Sequence, residues 1–194
     1  MTTAVILAGG KSRRMGRDKL SLPQGDTTVL ASAVSRFSEK FDRVLLSVDT
    51  PGRYPEIAVR HICDIFPDCG PLGGLHAALT ALDGKADGVF LAAADLPFSD
   101  PAAALRLMSL RGEHEICILR DESGRFEPLF GFYGGGLLGR VTELLENGRR
   151  AMTELYDISD TLILRASDIG IAASGQMLAN MNRPEDFYAL LGGK

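Results

Sequence analysis

The chain has 194 residues, 45% of them hydrophobic and 24% charged, with a formal net charge of −4. These are the proportions of an ordinary soluble globule, so disorder is not expected, and the length suits one domain, 1–194, with a substantial core. Mild acidity argues against a general nucleic-acid or membrane-surface binder, and no apolar run approaches the roughly 20 residues that span a bilayer.

Short apolar runs alternate with stretches of helical period. Ala4–Leu7 reads as a strand, Val29–Phe41 as a helix, Val44–Val48 as a strand and Ala58–Cys63 as another. A helix is expected within Leu72–Leu82, then a strand at Val89–Ala94 and a helix at Pro101–Leu110. This alternation predicts an α/β fold: three layers, Rossmann-like, with a mostly parallel sheet and helices on both faces. Ile116–Leu119 and Pro128–Tyr133 flank the polar turn Asp121–Arg125 and read as a small antiparallel hairpin or insertion across the site. Helical patterns follow at Leu137–Glu146 and Arg150–Tyr156, then a strand at Leu162–Arg165, a polar loop and a last helix from Pro184. Cys63, Cys69 and Cys117 match no zinc spacing and no signal peptide precedes the first strand, so a reducing cytoplasm is the expected setting.

The densest chemistry lies at the start. The first strand runs into Ala8, Gly9 and Gly10, and five cations follow within nine residues: Lys11, Arg13, Arg14, Arg17 and Lys19. Adjacent glycines let the backbone approach a ligand closely, and the cations can neutralise a polyphosphate. Gly10-Lys11-Ser12 is not a P-loop, since that pattern needs glycine where Val5 stands, and no G-x-G-x-x-G follows the strand. Leu7 to Gly10 are therefore expected to form a backbone cradle in which N–H groups around Gly9 and Gly10 donate to phosphate oxygens and to the base, with Lys19 placing charge on the α-phosphate.

Asp64 and Asp95 each follow a predicted strand, so a parallel sheet brings both to the edge that carries Gly9 and Gly10. Carboxylates beside a triphosphate repel it unless a cation lies between, and Mg²⁺ takes one or two carboxylates plus phosphate oxygens. Asp95 is the expected metal ligand, and Asp64 a contact to the nucleoside or a second metal contact. The glycines of Gly70-Pro71-Leu72-Gly73-Gly74 allow backbone approach to a base or sugar, though a plain Gly-Pro turn accounts for them nearly as well. His61, His76 and His114 have no paired spacing with cysteines or acids, and His76 is expected on a helix face.

The N-terminal run resembles the LAGG-x-S-x-RMG-x-DK signature of the molybdenum cofactor guanylyltransferases, the MobA-like nucleotidyltransferases. Five further segments are similar in the same order: Gly70-Pro71-Leu72-Gly73-Gly74, Ala94-Asp95-Leu96-Pro97-Phe98, Glu127-Pro128-Leu129 with Tyr133, Gly148-Arg149-Arg150, and Asn180-Met181-Asn182-Arg183-Pro184-Glu185-Asp186. The resemblance covers nearly the whole chain and implies the nucleotide-diphospho-sugar transferase-like fold. It implies that the terminal phosphate of molybdopterin attacks the α-phosphate of Mg·GTP, so that molybdopterin guanine dinucleotide forms and pyrophosphate leaves. By the same resemblance Leu7, Ala8, Gly9 and Gly10 hold the guanine nucleotide, Lys19 and Arg14 its phosphates, Asp64 the nucleoside and Asp95 the Mg²⁺. Arg149, Asn180 and Asn182 fall on the molybdopterin side.

Two positions depart from the pattern: Arg183 replaces a Thr and Ala94 a frequent Cys. A cytidylyl relative, another phosphate acceptor, and a GTP-binding sensor without turnover are the competing expectations. Gly9-Gly10 in place of Ala-Gly favours a purine, and the joint presence of Lys19 and Asp95 favours turnover. The chain is read as a monomer, with room in the resemblance for docking of cofactor-synthesis proteins or a molybdoenzyme chaperone.

Overall fold

The computed structural model describes residues 1–9, 18–82, 86–121, 123–170 and 176–179. Within them the chain forms β1 (Thr3–Leu7), β2 (Pro23–Gln24), β3 (Thr27–Thr28), α1 (Val29–Ser38), β4 (Arg43–Val48), β5 (Arg60–Cys63), α2 (Gly70–Thr80) and β6 (Gly88–Ala93). There follow α3 (Pro101–Leu110), β7 (Ile116–Arg120), β8 (Phe126–Gly134), α4 (Leu138–Glu146), α5 (Met152–Tyr156) and β9 (Thr161–Arg165). Seven strands make one sheet in the order β5-β4-β1-β6-β8-β7-β9, and β2 pairs with β3 as a separate short ribbon.

Strand β8 alone in that sheet runs antiparallel to its neighbours β6 and β7. The hairpin read from the sequence is thus β7 with β8, and it is continuous with the main sheet. Gly131 permits the pairing, since a Cβ there would stand 2.7 Å from Ile118 Cγ2 and 3.0 Å from the Cys117 carbonyl.

Alternation along β1 sends Ala4 and Ile6 to one face and Val5 to the other, and each face has its own core. Leu30, Phe37, Ala104 and Leu107 of α1 and α3 cover the first. Leu72, Leu75 and Leu79 of α2, Val141 and Leu145 of α4 and Leu155 of α5 cover the second. The expected three layers are present. The hydroxyl of Thr28 caps α1 by accepting from Ala31 N–H at 3.2 Å, and the Asp100 carboxylate caps α3 through Ala102 N–H at 2.8 Å.

Helix α5 starts at Met152, two residues later than read from the sequence, and the boundaries of α1 and α2 differ in ways that bear on the packing. Helix α1 closes at Ser38, and Phe41 reaches the core from the turn beyond, its ring 5.6 Å from Phe37. Helix α2 begins at Gly70, so the glycine-rich stretch is its first turns and not an approach to it. The segment after β9 contains short 3-10 turns at Ala166–Ile169 and Gln176–Leu178, with Ile169 and Met177 buried. The helix expected from Pro184 lies outside the described residues. No helix among the described residues is long and apolar enough to cross a membrane, and Cys63, Cys69 and Cys117 are free thiols.

Candidate active site

The carboxyl ends of the parallel strands form one edge. Leu7 sits opposite Ser47 of β4 and Ala93 of β6, and Val48 opposite Cys63 of β5. The ladder extends one residue further: Ala8 N–H donates to the Ser47 carbonyl at 2.9 Å and Ala94 N–H to the Leu7 carbonyl at 3.0 Å. Gly9, Asp49, Asp64 and Asp95 therefore leave four strands at the same side of the sheet.

Ala8 is buried and Gly9 exposed. A Cβ on Gly9 would meet only Asp49 and Val48, at ordinary contact distances of 3.5 Å and more. Among the described residues no neighbour stands close enough to demand glycine there, so the position has room for close approach by a ligand. Gly10 and Arg14, together with Lys11, Arg13 and Arg17, lie outside the described residues.

Lys19 opens a 3-10 turn, Lys19–Ser21, that packs beside α1. Its ammonium is 2.6 Å from Asp95 Oδ2, both side chains remaining partly exposed. The cation and the carboxylate, 76 residues apart in sequence, are thereby brought to one point. Asp18 caps the turn: its Oδ1 accepts Leu20 N–H at 3.1 Å, and its Oδ2 accepts the Tyr54 hydroxyl at 2.6 Å and an Arg53 N–H at 3.0 Å. Burial pushes Asp18 up, but the bonds from Tyr54 and Arg53 outweigh it and hold the carboxyl below its ordinary value.

The loop bearing Asp95 is fixed from α1. Arg36 donates to the carbonyls of Ser99 at 2.6 Å and Pro97 at 2.8 Å, while Ala94 and Leu96 are buried on either side of Asp95. Glu127 of β8 is nearly buried, and burial raises its carboxyl; Arg125, 3.9 Å away, opposes the rise and the charge of Asp95 adds to it. Tyr133 secures the strand after Glu127 by donating to the Pro128 carbonyl at 2.7 Å, and its oxygen lies 3.1 Å from Tyr156 Oη.

Asp64 is half-buried, and burial followed by the charge of Asp49 pushes it up from 3.8 to about 6. Asp49 also accepts from Arg53 at 2.8 Å. Gly73 and Gly74 face Asp64 from α2, where a Cβ on Gly74 would lie 2.8 Å from Leu7 Cδ2 and one on Gly73 3.0 Å from the Phe66 carbonyl. These two glycines let the helix close on β1 and the loop after Asp64, so the expected approach to a base or sugar is not needed to explain them.

Leu7, Ala8, Gly9, Lys19, Asp64 and Asp95 are thus gathered at one edge. Arg149 is not part of that cluster: it pairs with Glu154 at 2.8 Å on an exposed turn after α4. Its neighbour Arg150 touches the Asp68 carbonyl at 3.4 Å, which links that turn to the loop following Asp64. Asn180, Asn182 and Arg183 lie outside the described residues. His76 stands on α2, buried and bonded to Thr142 at 3.1 Å, with burial lowering its pKa. Sequence reasoning passed over Asp49, although an aspartate directly after β4 is the same signal that marked Asp64 and Asp95. Arg36, Arg53 and Tyr54 carried no such signal.

The donor chemistry at the edge fits a hard divalent cation. Asp95 offers carboxylate oxygens, and its charge is felt by a second carboxyl, Glu127 of β8. Among the described residues no group of three or more His, Cys, Asp or Glu side chains is assembled to hold a metal unaided. A cation held there by Asp95 would take its remaining oxygens from substrate phosphates, as Mg²⁺ commonly does.

A protein of Mycobacterium avium (strain 104) named "Probable molybdenum cofactor guanylyltransferase" is 33% identical over 96% of this chain and 93% of its own. The crystal structure of molybdopterin-guanine dinucleotide biosynthesis protein A from Archaeoglobus fulgidus matches with a TM-score of 0.82 at 18% identity, over 97% and 96% of the two chains. A manganese complex of Rv0371C from Mycobacterium tuberculosis matches with a TM-score of 0.69 at 20% identity, over 100% and 99%. Both structures share the fold. The model of the MobA-like NTP transferase domain matches residues 4–161, which places the edge built from Gly9, Lys19, Asp64 and Asp95 inside a known enzyme domain: the chain belongs to the MobA-like NTP transferase family.

Proposed function

We propose that this chain transfers GMP from Mg²⁺·GTP to the terminal phosphate of molybdopterin, forming molybdopterin guanine dinucleotide and releasing pyrophosphate. The observation that carries the reading is the Lys19–Asp95 pair at 2.6 Å beside the exposed Gly9 turn. It joins a phosphate-seeking cation to a metal-seeking carboxylate where a strand edge admits a nucleotide. The relative in Mycobacterium avium supplies the name of the reaction.

An oxygen of the acceptor phosphate attacks the α-phosphorus of GTP, the bond from that phosphorus to the bridging oxygen breaks, and its electron pair departs with pyrophosphate. The nucleophile is already an anion, so no general base is required and the protein's task is positioning and charge neutralisation. Backbone N–H groups at Gly9 and Gly10 orient the nucleotide, Leu7 and Ala8 fix the strand end that carries them, the Ala8 N–H being held by the Ser47 carbonyl, and Asp64 receives the nucleoside. Lys19, joined by Arg14, offsets charge that gathers on the α-phosphate. Asp95 holds Lys19 at the edge before substrate arrives and is the residue that would hold Mg²⁺. When bound, the ion supplies charge neutralisation to the reacting phosphates. Arg149, Asn180 and Asn182 are the residues assigned to the acceptor side, Arg149 lying on the exposed turn after α4.

Pyrophosphate release, measured with GTP, CTP, ATP and UTP in turn, Mg²⁺ and freshly generated molybdopterin, tests this assignment. Release confined to GTP with molybdopterin is expected. Preference for CTP moves the reaction to cytidylyl transfer, and tight GTP binding without release makes the chain a sensor.

A further inference from the structure

Tyr54 has no part in the chemistry above, yet three features single it out. Its backbone lies in the left-handed region at φ 57°, a conformation that bulky residues adopt at a cost. Its ring is buried in the main core while its hydroxyl emerges to give Asp18 a 2.6 Å hydrogen bond. Its neighbour Arg53 stands 4.8 Å over that ring and ties Asp18 to Asp49, donating to both. Asp18 in turn caps the 3-10 turn that starts at Lys19.

We infer that Tyr54 is a positioning residue for Lys19, acting through Asp18. The loop after β4 is anchored by the Tyr54 ring in the core, so the hydroxyl is a fixed point and not a mobile surface group. A carboxylate held by that hydroxyl and by Arg53 cannot swing, and its other oxygen keeps the Leu20 N–H in register at 3.1 Å. The first residue of the capped turn is Lys19, whose ammonium meets Asp95. Left-handed backbone at a buried tyrosine is consistent with a hydroxyl whose direction matters, because a relaxed backbone would turn the side chain elsewhere.

The kinetic arm of the test rests on the proposed nucleotidyl transfer; a labelling arm does not. Tyr54→Phe keeps the ring and deletes the hydroxyl. Acetylation of Lys19 by acetic anhydride, followed by mass spectrometry on the protein without substrates, should quicken several-fold in Tyr54→Phe and in Asp18→Asn. It should stay at the wild-type rate in Tyr156→Phe, whose hydroxyl lies in the other core. In turnover, Tyr54→Phe should lower kcat about tenfold with KM for GTP nearly unchanged. In a Lys19→Ala background the same change should have no further effect, since its route is already cut. An unchanged labelling rate in both Tyr54→Phe and Asp18→Asn overturns the inference, as does a full additional loss in the Lys19→Ala background. Absence of turnover in the wild type defeats the proposed reaction and leaves labelling to decide the positioning role.

Discussion

Replacing Asp64 by Asn should make the protein without ligand more stable at alkaline pH and no more stable near pH 4. The carboxyl is pushed up from 3.8 to about 6, first by burial and then by the charge of Asp49. A native state that holds a proton more tightly than the unfolded chain gains from that group only when the proton is bound. The contribution is therefore fully present below about pH 3.8, declines as the pH rises to about 6, and is gone above it. At about 1.36 kcal/mol per pH unit the span caps the penalty at ~3 kcal/mol, and solvent reaching the half-buried group reduces the expectation to about 1–1.5 kcal/mol. Urea unfolding of wild type and Asp64→Asn at pH 8 and pH 4 measures it as a difference in midpoints at constant slope. A variant no more stable than wild type at pH 8, or equally stabilised at both pH values, would mean that the Asp64 charge does not penalise the native state. If Asp64 receives the nucleoside as proposed, the same substitution should also weaken GTP binding in calorimetry.

Two glycine substitutions separate a ligand's demand from the fold's. Gly9→Ala meets no close atom and should leave thermal stability within about 1 kcal/mol of wild type, while calorimetry shows GTP affinity reduced tenfold or more. Gly131→Ala drives a methyl against Ile118 and the Cys117 carbonyl and should lose about 1–3 kcal/mol in denaturation, with nucleotide affinity kept in whatever remains folded. Lys19→Ala should reduce turnover on the order of 10²-fold if the ammonium stabilises the transferring phosphoryl group. Arg17→Ala, at a position the N-terminal signature leaves variable, should cost little, and equal losses at both would indicate a diffuse basic patch. Arg36→Met removes the bonds to the Pro97 and Ser99 carbonyls; titrating activity with Mg²⁺ should then show a raised half-saturation, and an unchanged one would mean that the Asp95 loop holds itself.

The aspartates at 64 and 95 were legible because a parallel sheet turns a linear rule, an acid directly after an apolar strand, into a shared edge, while Lys19 was read from the run of cations that follows β1. Asp49 obeys the same rule after Val48 and was available to it. Gly73 and Gly74 show where composition misleads: their absent side chains serve the contact of α2 with Leu7 and Phe66. The grip of Tyr54 on Asp18 spans 36 residues and that of Arg36 on Ser99 spans 63. Both depend on loop conformation, and no local periodicity announces a tyrosine at φ 57°.

On the proposed function, the Gly9–Lys19–Asp95 edge forms a new phosphoanhydride from GTP. Mass spectrometry of the products from GTP, Mg²⁺ and molybdopterin, run beside Asp95→Ala, tests it most directly. Molybdopterin guanine dinucleotide appearing in step with pyrophosphate in the wild type, and lost in Asp95→Ala, is the predicted result. GDP and inorganic phosphate with no dinucleotide would rule out nucleotidyl transfer, and dinucleotide formed equally well by Asp95→Ala would rule out the role of Asp95.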